Sequence, residues 1–227
     1  MAVSTVVSQG PASAVGCTSY DACVLGNAPL AYWRLDETSG STAANAGTLG
    51  SQADLTYNSW AGLGSPGLLS GGISSGVDGG TSVDFNSIGL AEMSGIDAMR
   101  PSDEFTLEFW RQSTSNSDQS TDYIVNMGGG LVIWEDQTGV RFTVALQGAS
   151  PVTLDVQFDA FSRPRHHVVT KTLDALSVYV DGRLVGSASL GHRATAYGTF
   201  ESSPSAPGSF LIQGDPHIAQ AFDAVAW

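Results

Sequence analysis

Lysine is almost missing from this chain: Lys171 stands alone in 227 residues. Nine lysines and arginines face 22 aspartates and glutamates, for a formal net charge of −13. A surface of that sign repels phosphate backbones and anionic lipid, which sets aside nucleic-acid and membrane-surface binding. Long apolar runs are missing too; nothing approaches the roughly 18–20 residues that a membrane-spanning helix needs. Cysteine is limited to Cys17 and Cys23, too few to frame a disulfide-rich mini-protein. His166, His167, His192 and His217 lie far along the chain and give those thiols no partners at zinc spacing. With five residues between them, the two cysteines either close a small disulfide loop or remain free buried thiols. The N-terminus has no basic region before Arg34 and no sustained apolar core, so it is not expected to act as a secretion signal.

A helical period is likewise hard to find, and no internal repeat is visible. The 27 glycines and low charged content, 14%, suit many short strands joined by tight turns. Phe105-Thr106-Leu107-Glu108-Phe109-Trp110 alternates, so Phe105, Leu107 and Phe109 share one face. Strands are expected over Pro29 to Leu35, Ser82 to Phe85, Tyr123 to Asn126, Leu131 to Trp134, Val140 to Leu146 and Pro151 to Val156. Further strands are expected over Arg165 to Thr170, Leu176 to Val180, Arg183 to Ser187, Phe210 to Gln213 and Ala221 to Trp227. Short strands at this spacing predict a sandwich or barrel. Val168, Val178 and Val180 are expected to be buried with the Phe105 face, and Trp33 and Trp110 to serve the core.

The sharpest local signal is Val178-Tyr179-Val180-Asp181-Gly182-Arg183-Leu184-Val185. Asp-Gly between apolar runs predicts a type I′ hairpin, because both turn residues need positive φ. Regular pairing would set Tyr179 opposite Leu184 and Val178 opposite Val185.

These segments together resemble a known family. Ala28 to Glu37, followed by Ser39-Gly40, is similar to the opening strand of laminin-G-like domains of the concanavalin A-like lectin/glucanase type. Phe105 to Trp110 resembles their central strand, His166 to Thr170 with Leu176 to Gly186 their late hairpin, and Phe222 to Trp227 their closing strand. The resemblance spans about residues 28–227. It implies an all-β fold, an antiparallel two-sheet jelly-roll sandwich over residues 27–227, with the first and last strands adjacent. It also implies binding of a glycan or a cell-surface receptor, often with a structural calcium ion. Asp36 and Asp223, brought together by those neighbouring strands, are the candidate calcium ligands. Ala224, and Asn45-Ala46-Gly47, stand where many members carry an acidic residue. Such domains also occur in bacteriophage tail proteins.

Catalysis finds little support in the pattern. Glucanases on this fold need carboxylates at two-residue spacing on one strand, whereas Glu135-Asp136 and Asp36-Glu37 alternate faces if extended. His166 and His167, adjacent on a strand, point to opposite sides and cannot jointly hold a metal; one is expected in the core. A glycan site pairs an aromatic platform with polar groups, and Trp60, Trp134 and Tyr197 are the candidate platforms.

Residues 1–26 read as an extended arm of small and β-branched residues, too apolar for a solvating tail and too poor in core residues to fold alone. Such an arm is expected to order on a sheet edge or in a groove, largely on another chain, in a homo-oligomer or among other virion proteins. The expected role is a non-enzymatic module on a bacteriophage virion surface or tail. The alternative is a carbohydrate-binding module of a bacterial cell-surface protein, extracellular in location, and a sandwich-fold glycoside hydrolase ranks below both.

Overall fold

The computed structural model describes residues 19–68, 80–85, 89–93, 104–113, 122–136, 139–157, 163–196, 210–213 and 220–226. These residues form two antiparallel sheets of eight strands each. The first runs β14 (Arg183–Ser189), β13 (Ala175–Val180), β12 (Arg165–Lys171), β7 (Phe105–Ser113), β16 (Gln220–Ala226), β5 (Thr81–Asp84) and β4 (Gly62–Pro66), with β1 (Tyr32–Trp33) also paired to β16. The second runs β11 (Val152–Val156), β10 (Gly139–Val144), β9 (Leu131–Asp136), β8 (Asp122–Met127), β15 (Phe210–Gln213), β6 (Leu90–Met93), β3 (Leu55–Tyr57) and β2 (Thr42–Ala43). The all-β, two-sheet reading therefore holds. The first and last strands are neighbours, with Tyr32 opposite Ala226 and Trp33 opposite Val225.

The core lies between the sheets. Leu107 and Phe109 of β7, Val169 of β12 and Val178 of β13 belong to one buried cluster with Ile133 of β9 and Phe142 of β10. Trp33 is fully buried there, and its indole N–H donates to the Ala53 carbonyl at 2.6 Å, as a buried indole requires. The alternation of β7 continues past the apolar run, so Arg111 also points inward. It forms a buried ion pair with Glu135 of the facing sheet. His167 is buried with its ring stacked on Phe109, centroids 4.8 Å apart. Its neighbour His166 takes the outer face, as the strand period requires.

Four expectations need correction. Trp110 is not a core residue: it sits at an outward position of β7, half-buried, stacked on His166 with centroids 4.9 Å apart. Val168 is also outward and half-buried, since the even-numbered residues of β12 face away from the core. The first strand shrinks from Pro29–Leu35 to Tyr32–Trp33, because Leu35 adopts φ 58° and breaks the extended run. In the late hairpin, Asp181 (φ 50°) and Gly182 (φ 75°) make the expected turn, and Tyr179 pairs with Leu184. A bulge then pairs Val178 with Gly186 rather than Val185. The shift brings Gly186 against β11, where an added Cβ would lie 3.1 Å from the Leu154 side chain.

The arm also differs from its reading as extended. Residues Tyr20–Gly26 form a short helix, α1, capped by Ser19, whose hydroxyl accepts from the Ala22 N–H at 3.2 Å. Seven residues are too few to display a helical period, which is why the pattern gave no sign of it. The helix docks on its own domain. Val24 packs with Tyr32, Tyr20 and Trp110; Asp21 accepts from the Tyr32 hydroxyl and pairs with Arg34 at 2.8 Å. Cys23, within α1, is disulfide-bonded. Cys17 and the rest of residues 1–18 lie outside the described residues.

Candidate functional site

The outer face of the second sheet concentrates polar chemistry around Trp134. Cross-strand register sets Tyr123 of β8, Trp134 of β9, Arg141 of β10 and Asp155 of β11 in one row. The next row is Asn126, Val132, Thr143 and Thr153. Residues directly opposite in antiparallel strands share a face, so both rows belong to one surface. The Arg141 guanidinium lies 4.6 Å over the Trp134 ring, a cation–π contact. Its Nε donates to Asp155 Oδ1 at 2.6 Å. The Trp134 indole N–H donates to the Thr143 hydroxyl at 3.4 Å, and that hydroxyl lies 3.0 Å from the one on Thr153.

Beside this row is a cleft of about 270 Å³, lined by Gly139, Val140, Arg141, Asp155, Val156 and Gln157. Gly139 keeps it open: at φ 150° a Cβ there would come within 2.5 Å of the Val156 carbonyl oxygen. Thr143 is buried, so the surface offers an aromatic ring, the hydroxyl of exposed Thr153, a guanidinium held against Trp134 and Asp155, and an Asp155 carboxylate that is 66% exposed. Those groups match what a sugar ring presents: an apolar face for stacking and hydroxyls that both donate and accept. A glycosidase needs two carboxylates flanking the scissile bond. Asp155 is the one carboxylate of that row, Glu135 is paired with Arg111 in the core, and Asp136, two residues after Trp134 on β9, has its side chain outside the described residues.

Two of the three platform candidates, Trp60 and Trp134, lie apart. Trp60 follows β3 and is 59% exposed; its backbone N–H is held by the Asn58 side chain at 3.1 Å. Four strand steps separate β3 from β9, so Trp60 and Trp134 cannot share one site. Tyr197 lies outside the described residues. The partners of Trp134 (Arg141, Thr143, Thr153 and Asp155) escaped the sequence reading. A two-residue period shows that β10 and β11 each have an outward face, but only the register puts those faces beside Trp134.

For the calcium ligands, β1 leads from Trp33 toward Asp36 in the direction in which β16 runs back from Val225 to Asp223. The Asp36 carbonyl accepts from the Thr81 hydroxyl at 2.7 Å, and the Asp223 side chain lies outside the described residues. Among the described residues no group of three or more His, Cys, Asp or Glu is arranged to hold a metal. No helix among them is long and apolar enough to cross a membrane.

Comparison with known proteins supplies a family. The family model described as concanavalin A-like lectin/glucanases superfamily (Laminin_G_3) matches residues 91–209, more than half the chain. No curated protein matches. Among solved structures, the binding domain of Paraclostridial mosquitocidal protein 1 aligns with TM-score 0.66 and 11% identity over 89% of this chain and 49% of its own. The botulinum neurotoxin serotype G binding domain aligns with TM-score 0.63 and 11% identity over 87% and 47%. The binding domain of botulinum neurotoxin DC, in complex with SialylT, gives TM-score 0.60 and 11% identity over 89% and 48%. The chain thus spans about half the length of these structures, and at such identity the likeness is one of fold.

Proposed function

The chain belongs to the concanavalin A-like lectin/glucanases superfamily, and from that premise we propose that it is a non-enzymatic module that binds glycans on the outer face of its second sheet. The observation that carries the reading is the Trp134 ring, clamped by Arg141 and bonded to Thr143, next to an open cleft. The ring is the stacking platform. Thr153, Arg141 and Asp155 supply donors and acceptors for hydroxyls, and buried Thr143 holds the indole N–H. Similar folds serving as binding domains, one of them in complex with SialylT, support the same reading. Its place is then a surface that meets cells. The direct test is a glycan array probed with the wild-type protein and with Trp134→Ala. Specific spots that the variant loses support the proposal; an array without signal, or identical signals from both proteins, overturns it.

The finer reading places the module on a bacteriophage virion surface or tail, held there or in a homo-oligomer by the N-terminal arm. Residues 19–26 dock on their own domain, and we assign contacts with other chains to residues 1–18, which lie outside the described residues. Deleting 1–18 should leave the sandwich folded and abolish assembly; normal assembly of the truncated protein would count against this placement. A calcium ion at Asp36 and Asp223 is a separable part of the proposal. A Tm that rises from chelator to millimolar calcium supports it, and an unchanged Tm removes it.

A further inference from the structure

The outer face of the first sheet carries a second recess, unrelated to Trp134. Helix α1 and β7 enclose a cleft of about 410 Å³, within the range of small-ligand sites. Val24, Pro29 and Leu30 form an apolar wall; Asn27, Thr106 and Glu108 supply its polar groups. Ala28, also part of the lining, turns the chain out of the helix at φ 51°. Non-glycine residues hold that conformation only where surroundings fix it, and the Ala28 N–H is bonded to the Leu25 carbonyl at 2.9 Å.

Two of the polar groups, Glu108 and Asn27, have an oxygen left to accept. Glu108 Oε1 receives the Tyr20 hydroxyl at 2.5 Å and His166 Nε2 at 2.9 Å, which leaves Oε2 for another donor. Burial alone would raise the Glu108 pKa, but the bonds from His166 and Tyr20 outweigh it and hold the carboxyl below the usual glutamate range. The Asn27 amide nitrogen donates one of its two protons to the Cys23 carbonyl at 3.1 Å, which leaves the oxygen to accept and the second proton to donate. Among the described residues no lysine, arginine or histidine lines the cleft, and the chain as a whole carries −13. A guest here meets open acceptors in Glu108 and Asn27, gains by being positive, and needs a hydrocarbon part to cover the apolar wall.

We propose that this cleft binds an aliphatic ammonium, with the charged head on Glu108 and Asn27 and the hydrocarbon stem along Val24, Pro29 and Leu30. A lysine side chain of a partner protein and a free alkylamine both have this chemistry. Amide ¹H–¹⁵N spectra of the full chain, titrated with n-butylammonium, Nα-acetyl-lysine amide or n-butanol, test the proposal. Both ammonium probes should shift the Asn27, Ala28, Thr106 and Glu108 signals, with a Kd at least roughly tenfold below that of n-butanol, the factor a hydrogen bond to a charged group contributes. Binding of butylammonium but not of the lysine amide would assign the site to free amines. Glu108→Gln should weaken ammonium binding by a similar factor. Because that variant also disturbs the docking of Tyr20, Thr106→Phe provides a second arm: it fills the cleft from an exposed position, leaves Glu108 intact, and should abolish binding. Equal affinity for n-butanol, unmoved signals at the cleft, or undiminished binding by Thr106→Phe would overturn the proposal.

Discussion

Removing the cation from the core should cost this sandwich more than most truncations. Arg111 and Glu135 meet between the sheets, each side chain 1% exposed. In Arg111→Met the methionine fills much of the vacated space, but Glu135 keeps a buried carboxylate, and its Oε1 already has no donor among the described residues. An ion stranded in this way costs about 3–5 kcal/mol, which is a large part of a typical domain's stability. Glu135→Leu should cost somewhat less, because Arg111 has further contacts. The double variant Arg111→Met/Glu135→Leu removes both charges and leaves apolar groups in their place. It should recover to near wild-type stability or exceed it, since the desolvation penalty disappears with the pair. Urea unfolding at pH 7, followed by tryptophan fluorescence, gives the free energies for the cycle. Single variants that each lose less than about 1 kcal/mol, the level of a solvent-exposed pair, would refute the reasoning. So would a double variant whose loss is the sum of the singles.

Phe109→Ala opens a cavity in the middle of β7 and should lose about 3–5 kcal/mol in the same unfolding assay; a wild-type midpoint would contradict the inward register of Phe109. His167 sits buried, and burial first, then the charge of Arg111, pushes its pKa well below the ordinary value, with His166 and Arg165 adding to the effect and Asp181 opposing it. The folded state therefore resists a proton that the unfolded chain binds below about pH 6.5, so stability falls as pH drops through that value toward the folded pKa, by up to about 1.4 kcal/mol per pH unit. His167→Leu should flatten that part of the urea-midpoint profile, and an unchanged slope would exclude His167 as its source. Gly139→Ala should destabilise by at least about 1 kcal/mol, read as a lower urea midpoint, because the new Cβ meets the Val156 carbonyl.

The strands were legible where one face alternates. Phe105 to Trp110 and the Asp181-Gly182 turn declared themselves because period and turn chemistry are local properties. What escaped was set by contacts distant in sequence. Arg111 looks like a surface residue until the strand is extended far enough to turn it inward against Glu135. Gly186 gives no sign of the bulge, nor of its place against Leu154 of the other sheet. The brief strands β2, β3, β4 and β6 sit in glycine- and serine-rich sequence where partners, not propensity, hold them extended. Trp134 was recognisable as a candidate platform, but its partners on β10 and β11 follow from register alone. Trp110 was misassigned because an aromatic in an apolar run suggests a core, whereas α1 supplies the cover that lets it sit on the outer face.

Glycan recognition at Trp134 is the central claim, and indole resonances read it most directly. The chain has five tryptophans, each with one indole N–H signal. With the strongest glycan from the array added to ¹⁵N-labelled protein, the Trp134 indole signal should shift in a saturable way while that of buried Trp33 stays in place. A saturating glycan that leaves Trp134 unmoved and shifts Trp60 instead would contradict the account.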